Sequence, residues 1–201
     1  MNLPNKLTMF RILIIPILVV LLVIEEGRPW TYMGALALFA LATITDIADG
    51  RIARSRNLIT DFGKLMDPLA DKVMISCVLI CFVELEVIPA WIAIVVVFRE
   101  FMISGFRLIA AEKGVVIAAN KWGKHKTAFQ TVFIIAMLVA MSSDAGLVWE
   151  GFYTSVSISP DWVMYFFSFM INFNNWMMIF FTIFSLAVYM KQNWSVIGED
   201  F

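Results

Sequence analysis

Several of the residues that ordinarily carry chemistry are scarce in this chain. Its 201 residues include 2 cysteines and 1 histidine, too few soft or imidazole ligands for a convincing zinc site. Cys77 and Cys81 share one face of an apolar run and read as small buried side chains. His125 stands between Lys124 and Lys126, the setting of a polar surface residue rather than of a catalyst. Charged residues make up only 15% of the chain against 61% hydrophobic, which excludes an ordinary soluble domain. The net charge of -1 selects no partner by itself, and no nucleic-acid partner is expected. Internal repeats, low-complexity tracts and a soluble domain are absent by inspection. Met1 to Thr8 lacks the small-residue cleavage site of a signal peptide, so the apolar run that follows is expected to stay attached.

Long apolar runs are what the chain does have. They predict an all-α, polytopic membrane protein of one domain over residues 1–201, with spans at about 7–24, 32–50, 63–83, 88–110, 124–141 and 162–190. Glu25 to Pro29 reads as a polar turn, with Trp30 and Tyr32 suited to the interface beyond it. Arg51 to Phe62 is expected to form a loop, and Pro68 to disturb the third helix near its start. The fourth run continues through Arg99 and Glu100 to about Ala110, longer than a bilayer requires, so its end should project into water. Ser142 to Asp161 is expected to rest at the interface, and Asn172, Asn174 and Asn175 interrupt the last apolar run. Lys6, Arg51, Arg54, Arg56, Lys64, Lys113, Lys121, Lys124, Lys126 and Lys191 fall on one side of the six-span arrangement, whereas the opposite connections carry Arg28 and several acids. The excess of basic residues places both termini and the site on the cytoplasmic side.

Asp46, Asp49, Asp67 and Asp71 form the most unusual feature. Spacings of three and four residues put each pair on one helix face, and a hairpin of the second and third helices would gather all four. Such groups at a bilayer edge are costly unless paired, hydrated or bound to metal. Oxygen-only ligands favour Mg²⁺ or Mn²⁺, and four carboxylates exceed what one such ion takes from a protein, which makes two ions plausible. Gly50, Ala53 and Gly63 are small enough for a nucleotide or phosphate to approach the backbone, and Arg54 offers a fork to phosphate. The plainer alternative is that these acids are helix-end residues at a membrane surface.

A second group of charges lies further along. Arg99 and Arg107 fall within about 80° of each other on a helix and can face one interior, where Glu100 is placed to neutralise a neighbouring cation. Lys124 and Lys126 stand at the start of the fifth helix, whose amides also suit an anion. These cations make a candidate pocket for a second phosphate beside the metals.

From Asp46 to Asp71 the chain reads Asp-x2-Asp-Gly-x2-Ala-Arg-x8-Gly-x3-Asp-x3-Asp, which resembles, without gap or substitution, the signature of the CDP-alcohol phosphotransferases. The opening from Leu3 to Arg11, the segment from Arg99 to Arg107, Val116 to Asn120 and Gly123 to Thr127 look like the bacterial branch of that family that makes phosphatidylglycerophosphate. The likeness runs from Pro4 to Thr127, and beyond Met141 it extends only to a membrane span.

The resemblance implies six membrane helices, a homodimer, two divalent ions held by Asp46, Asp49, Asp67 and Asp71, and Asp71 as general base. It also implies transfer of a phosphatidyl group from CDP-diacylglycerol to glycerol 3-phosphate within the membrane lipid, with release of CMP. Gly50, Ala53, Arg54, Thr60 and Gly63, with Asn5, Thr8 and Arg11, would bind CDP-diacylglycerol; Arg107, Lys124 and Lys126 would bind the acceptor phosphate. Three alternatives stand beside this reading: a relative using another acceptor such as inositol phosphate, a divalent-cation transporter, and a membrane scaffold. The scaffold leaves the four acids unexplained, and no inverted repeat of the cluster supports the transporter.

Overall fold

The computed structural model describes residues 3–24, 29–55, 61–115, 121–143 and 160–194, with side chains for 5–24, 30–46, 63, 66–115, 122–142, 165–166 and 169–194. Within these limits every regular element is an α-helix: α1 (Leu3–Val23), α2 (Pro29–Ser55), α3 (Asp61–Glu84), α4 (Ala90–Glu112), α5 (Lys121–Ser143) and α6 (Pro160–Gln192). Three segments among the described residues are long and apolar enough to cross a membrane, Asn5–Val23 in α1, Trp122–Ser142 in α5 and Phe169–Gln192 in α6. Charges set the other helices apart: α2 ends in Asp46, Asp49, Arg51 and Arg54, α3 begins with Asp61, Lys64, Asp67, Asp71 and Lys72, and α4 carries Arg99, Glu100 and Arg107.

One local expectation is corrected. Residues 51–55, expected in a loop, continue α2, because Arg51, Ile52, Ala53 and Arg54 include some of the best helix formers. Helix α3 continues through Pro68, whose ring withdraws the N–H that would bond to the carbonyl of Lys64, a local loss near the helix start that does not end it. Residues 56–60 and most of the expected interfacial loop, 144–159, lie outside the described residues.

Packing divides the chain into two compact units. The first holds α1, α2, α3 and the end of α5 from Ile135, and the second holds α4, α5 as far as Ile134, and α6. In the first unit, Ile15, Leu18 and Leu22 of α1 form a buried stripe with Ala35, Phe39 and Ala42 of α2 and Met74, Val78 and Phe82 of α3 in the same core. Small residues on α2 let the helices approach: a Cβ on Gly34 would meet Leu21 Cδ1 at 3.2 Å. The opposite face of α1 presents Phe10, Leu13, Ile17, Val20 and Ile24 to the surroundings. A helix polar at one inner end and apolar on its outer face is arranged for lipid, since water would penalise so large an apolar surface.

The connections after α3 and α4 are built alike. After α4, Gly114 has φ 73°, its N–H bonds to Ala111 O at 3.0 Å, and the Val115 N–H bonds to Ala110 O at 2.8 Å. After α3, Glu86 takes the corresponding place with φ 56°, and the Glu86 and Val87 amides bond to Val83 O at 3.0 Å and Phe82 O at 2.9 Å. Both are the left-handed cap that satisfies the last helical carbonyls.

Candidate active site

The inner end of α1 supplies the first cluster. Asn5, Thr8 and Arg11 are buried and continue the stripe of Ile15, Leu18 and Leu22, so the packing face that seats α1 also aims its polar residues inward. The Thr8 hydroxyl donates to Asp67 Oδ1 on α3. Arg11 Nη1 lies 2.7 Å from Asp46 Oδ1 on α2, its side chain fully buried while that of Asp46 is 45% exposed. One helix therefore holds an acid from each half of the aspartate signature. A buried guanidinium needs such a partner.

Gly63, at the start of α3, is buried, and Asp67 and Asp71 are half-buried. Asp49, Gly50, Ala53 and Arg54 belong to α2 by their backbone, with side chains outside the described residues; Thr60 lies outside them altogether. Among the described residues no three His, Cys, Asp or Glu side chains stand close enough to hold one ion. The donor chemistry does fit a hard divalent ion. One oxygen of Asp46 and one of Asp67 are held by α1, and carboxylate oxygens are the ligands such an ion prefers.

The second unit contains a buried ionic cluster. Glu100 Oε1 accepts from Arg99 Nη1 at 3.1 Å and from Lys126 Nζ, and all three side chains are buried. Arg99 also reaches Ser185 Oγ on α6, through Nε at 3.2 Å and Nη2 at 3.1 Å. Gly123 opens room for this guanidinium: a Cβ there would lie 3.3 Å from Arg99 Nη2. Two cations share one carboxylate, which leaves the cluster with a formal charge of one positive unit.

The cations expected to bind an acceptor differ in their surroundings. Lys126 is turned inward to Glu100, Lys124 is exposed, and Arg107 is exposed with its Cζ 6.0 Å from the centroid of the Tyr189 ring. His125 sits in an aromatic group with Trp122 and Phe181, at centroid distances of 6.2 and 5.9 Å, a packing role that accounts for it without catalysis. Ser185 and Tyr189 were not among the residues singled out by sequence. The available signal was the spacing of Thr182, Ser185 and Tyr189 in an apolar run, three polar groups on one helix face.

A family model described as CDP-alcohol phosphatidyltransferase matches residues 1–158. The chain is 42% identical over 148 residues to a protein of Bacillus subtilis (strain 168), covering 69% of this chain and 77% of the relative. It is 38% identical over 148 residues to a Rickettsia typhi protein, covering 74% of this chain and 82% of the relative. A protein of Cereibacter sphaeroides is 31% identical over 166 residues, 78% of this chain and 75% of the relative. All three relatives carry the name CDP-diacylglycerol–glycerol-3-phosphate 3-phosphatidyltransferase.

Proposed function

Because the chain belongs to the CDP-alcohol phosphatidyltransferase family, we propose that it is a membrane enzyme of phospholipid biosynthesis that transfers the phosphatidyl group of CDP-diacylglycerol to glycerol 3-phosphate. The products are phosphatidylglycerophosphate and CMP. The structural observation that carries the site assignment is the hold of α1 on both halves of the aspartate signature, Arg11 on Asp46 and Thr8 on Asp67.

The family is generally divalent-metal dependent, and Asp46, Asp49, Asp67 and Asp71 are the residues that would hold two Mg²⁺ or Mn²⁺ ions. Bound there, such ions neutralise charge on the donor pyrophosphate and on the departing CMP oxygen. Arg11 and Thr8 keep Asp46 and Asp67 oriented for that task. Asp71 takes the proton from the glycerol 3-phosphate hydroxyl as its oxygen bonds to the phosphatidyl phosphorus and the bond to CMP breaks. Gly50, Ala53, Arg54, Thr60 and Gly63 bind the nucleotide end, with Asn5 completing the polar end of α1. Of the cations expected to bind the acceptor, Arg107 and Lys124 are exposed to receive a phosphomonoester, whereas Lys126 is buried against Glu100. The acyl chains remain in the bilayer. The six helices cross it with both termini and the site on the cytoplasmic side, in keeping with the basic residues there.

The direct test is CMP release from CDP-diacylglycerol by purified protein in detergent with Mg²⁺ or Mn²⁺, offered glycerol 3-phosphate, inositol phosphate, serine or no acceptor. Release with glycerol 3-phosphate alone is expected. Release with inositol phosphate instead would keep the transfer chemistry and overturn the acceptor.

A further inference from the structure

We propose that Tyr189, on a helix beyond the segment matched by the family model, is an acceptor-binding residue: its ring seats Arg107 and its hydroxyl donates to an anionic oxygen of the phosphomonoester that Arg107 holds. The inference rests on the reading of the chain as a transferase to glycerol 3-phosphate.

Helices α4 and α6 are joined at two levels within the second unit. Arg99 is bonded to Ser185, and further along both helices Arg107 lies over Tyr189. Long side chains on a helix lean toward its N-terminus, which lets Arg107 reach back over a ring only one turn past Ser185. The two arginines are not equivalent. Arg99 shares Glu100 with Lys126, whereas Arg107 has no carboxylate partner among the described residues and keeps its full charge for an anion.

The Tyr189 hydroxyl is the second, independent observation. The residue is 2% exposed, and its oxygen is buried without a hydrogen-bond partner among the described residues. Its neighbours on the same face solve this problem locally: Thr182 donates to Met178 O at 2.6 Å and Ser185 to Thr182 O at 3.1 Å. A phenol oxygen stands too far from its own backbone to do the same. Buried hydroxyls without partners are unfavourable, and a residue that only packed against α4 would do so equally well as phenylalanine. A phenol beside an arginine with unshared charge is instead suited to donate to a phosphate oxygen.

Tyr189→Phe keeps the ring under Arg107 and removes only the donor. The purified variant is expected to show a KM for glycerol 3-phosphate raised about fivefold or more, the usual effect of losing one hydrogen bond to a charged group, with KM for CDP-diacylglycerol within about twofold and an undiminished Tm. Tyr189→Leu, which also removes the seat of Arg107, is expected to raise the acceptor KM further. An acceptor KM for Tyr189→Phe within about twofold of the unaltered protein would overturn the proposal. A parallel rise in both KM values with a lowered Tm would overturn it too, making Tyr189 a packing residue. If the unaltered protein released CMP only with a different phosphomonoester, the acceptor assignment would fail separately, and the same comparison with that acceptor would still decide Tyr189.

Discussion

At the scale of single residues, Arg11 shows how position and charge combine. Its side chain is fully buried against an acid that is nearly half exposed, so the pair is an orienting device more than a source of stability. Arg11→Met, which fills the same volume without charge, is expected to leave the thermal midpoint in detergent within about 3 °C of the unaltered protein. Its CMP-release activity should fall more than about tenfold, the loss usual when a partner that orients a metal ligand is removed. A large drop in thermal midpoint with activity per folded molecule retained would make Arg11 structural. The sequence indicated Arg11 and Thr8 as donor-binding residues through their place in the opening motif. Their contacts with Asp46 and Asp67 were not legible there, because they are tertiary contacts between separate helices and leave no local pattern. Lys126 was legible in part: the expectation that Glu100 neutralises a cation is met by the pairing itself, yet the same pairing turns Lys126 inward.

At the scale of helices, the caps after α3 and α4 invite a comparison. Gly114 adopts a positive φ that suits it, whereas Glu86 adopts one without that freedom, at a cost of about 1 kcal/mol. Glu86→Gly is expected to stabilise the protein by about 0.5–1 kcal/mol, seen as a rise of about 1–4 °C in thermal unfolding in detergent. A fall would mean that the Glu86 side chain contributes more than its backbone costs. Among the described residues the order of the helices followed from the apolar runs, since those runs are long and separated by short charged stretches. Helix ends were less legible: Arg51 to Ser55 were expected in a loop because they are polar, but helix propensity carries α2 through them. The cap at Glu86 could not be anticipated, because left-handed caps are usually marked by glycine or asparagine.

At the scale of the whole molecule, the described outward faces of α1 and α6 are largely apolar. On α6, Phe169, Phe173, Trp176, Phe180 and Ile183 point outward, while Thr182, Ser185 and Tyr189 are buried, the inverse of a water-soluble helix. The proposed orientation is open to direct test by cysteine labelling with a membrane-impermeant maleimide. Lys113→Cys, at the exposed end of α4, should react only from the cytoplasmic side, and Glu86→Cys only from the opposite side. Labelling of both from one side would exclude a membrane crossing by α4.

The hold of α1 on two later helices also bears on how the protein is made. Arg11 precedes both acids in the chain, and an arginine left without a partner in a bilayer is disfavoured. The polar end of α1 is matched only once α2 brings the first acid and α3 the second. The seating of the opening helix is thus completed by segments that follow it in the chain, and a chain cut before Asp67 lacks one of the two acids that its first helix holds.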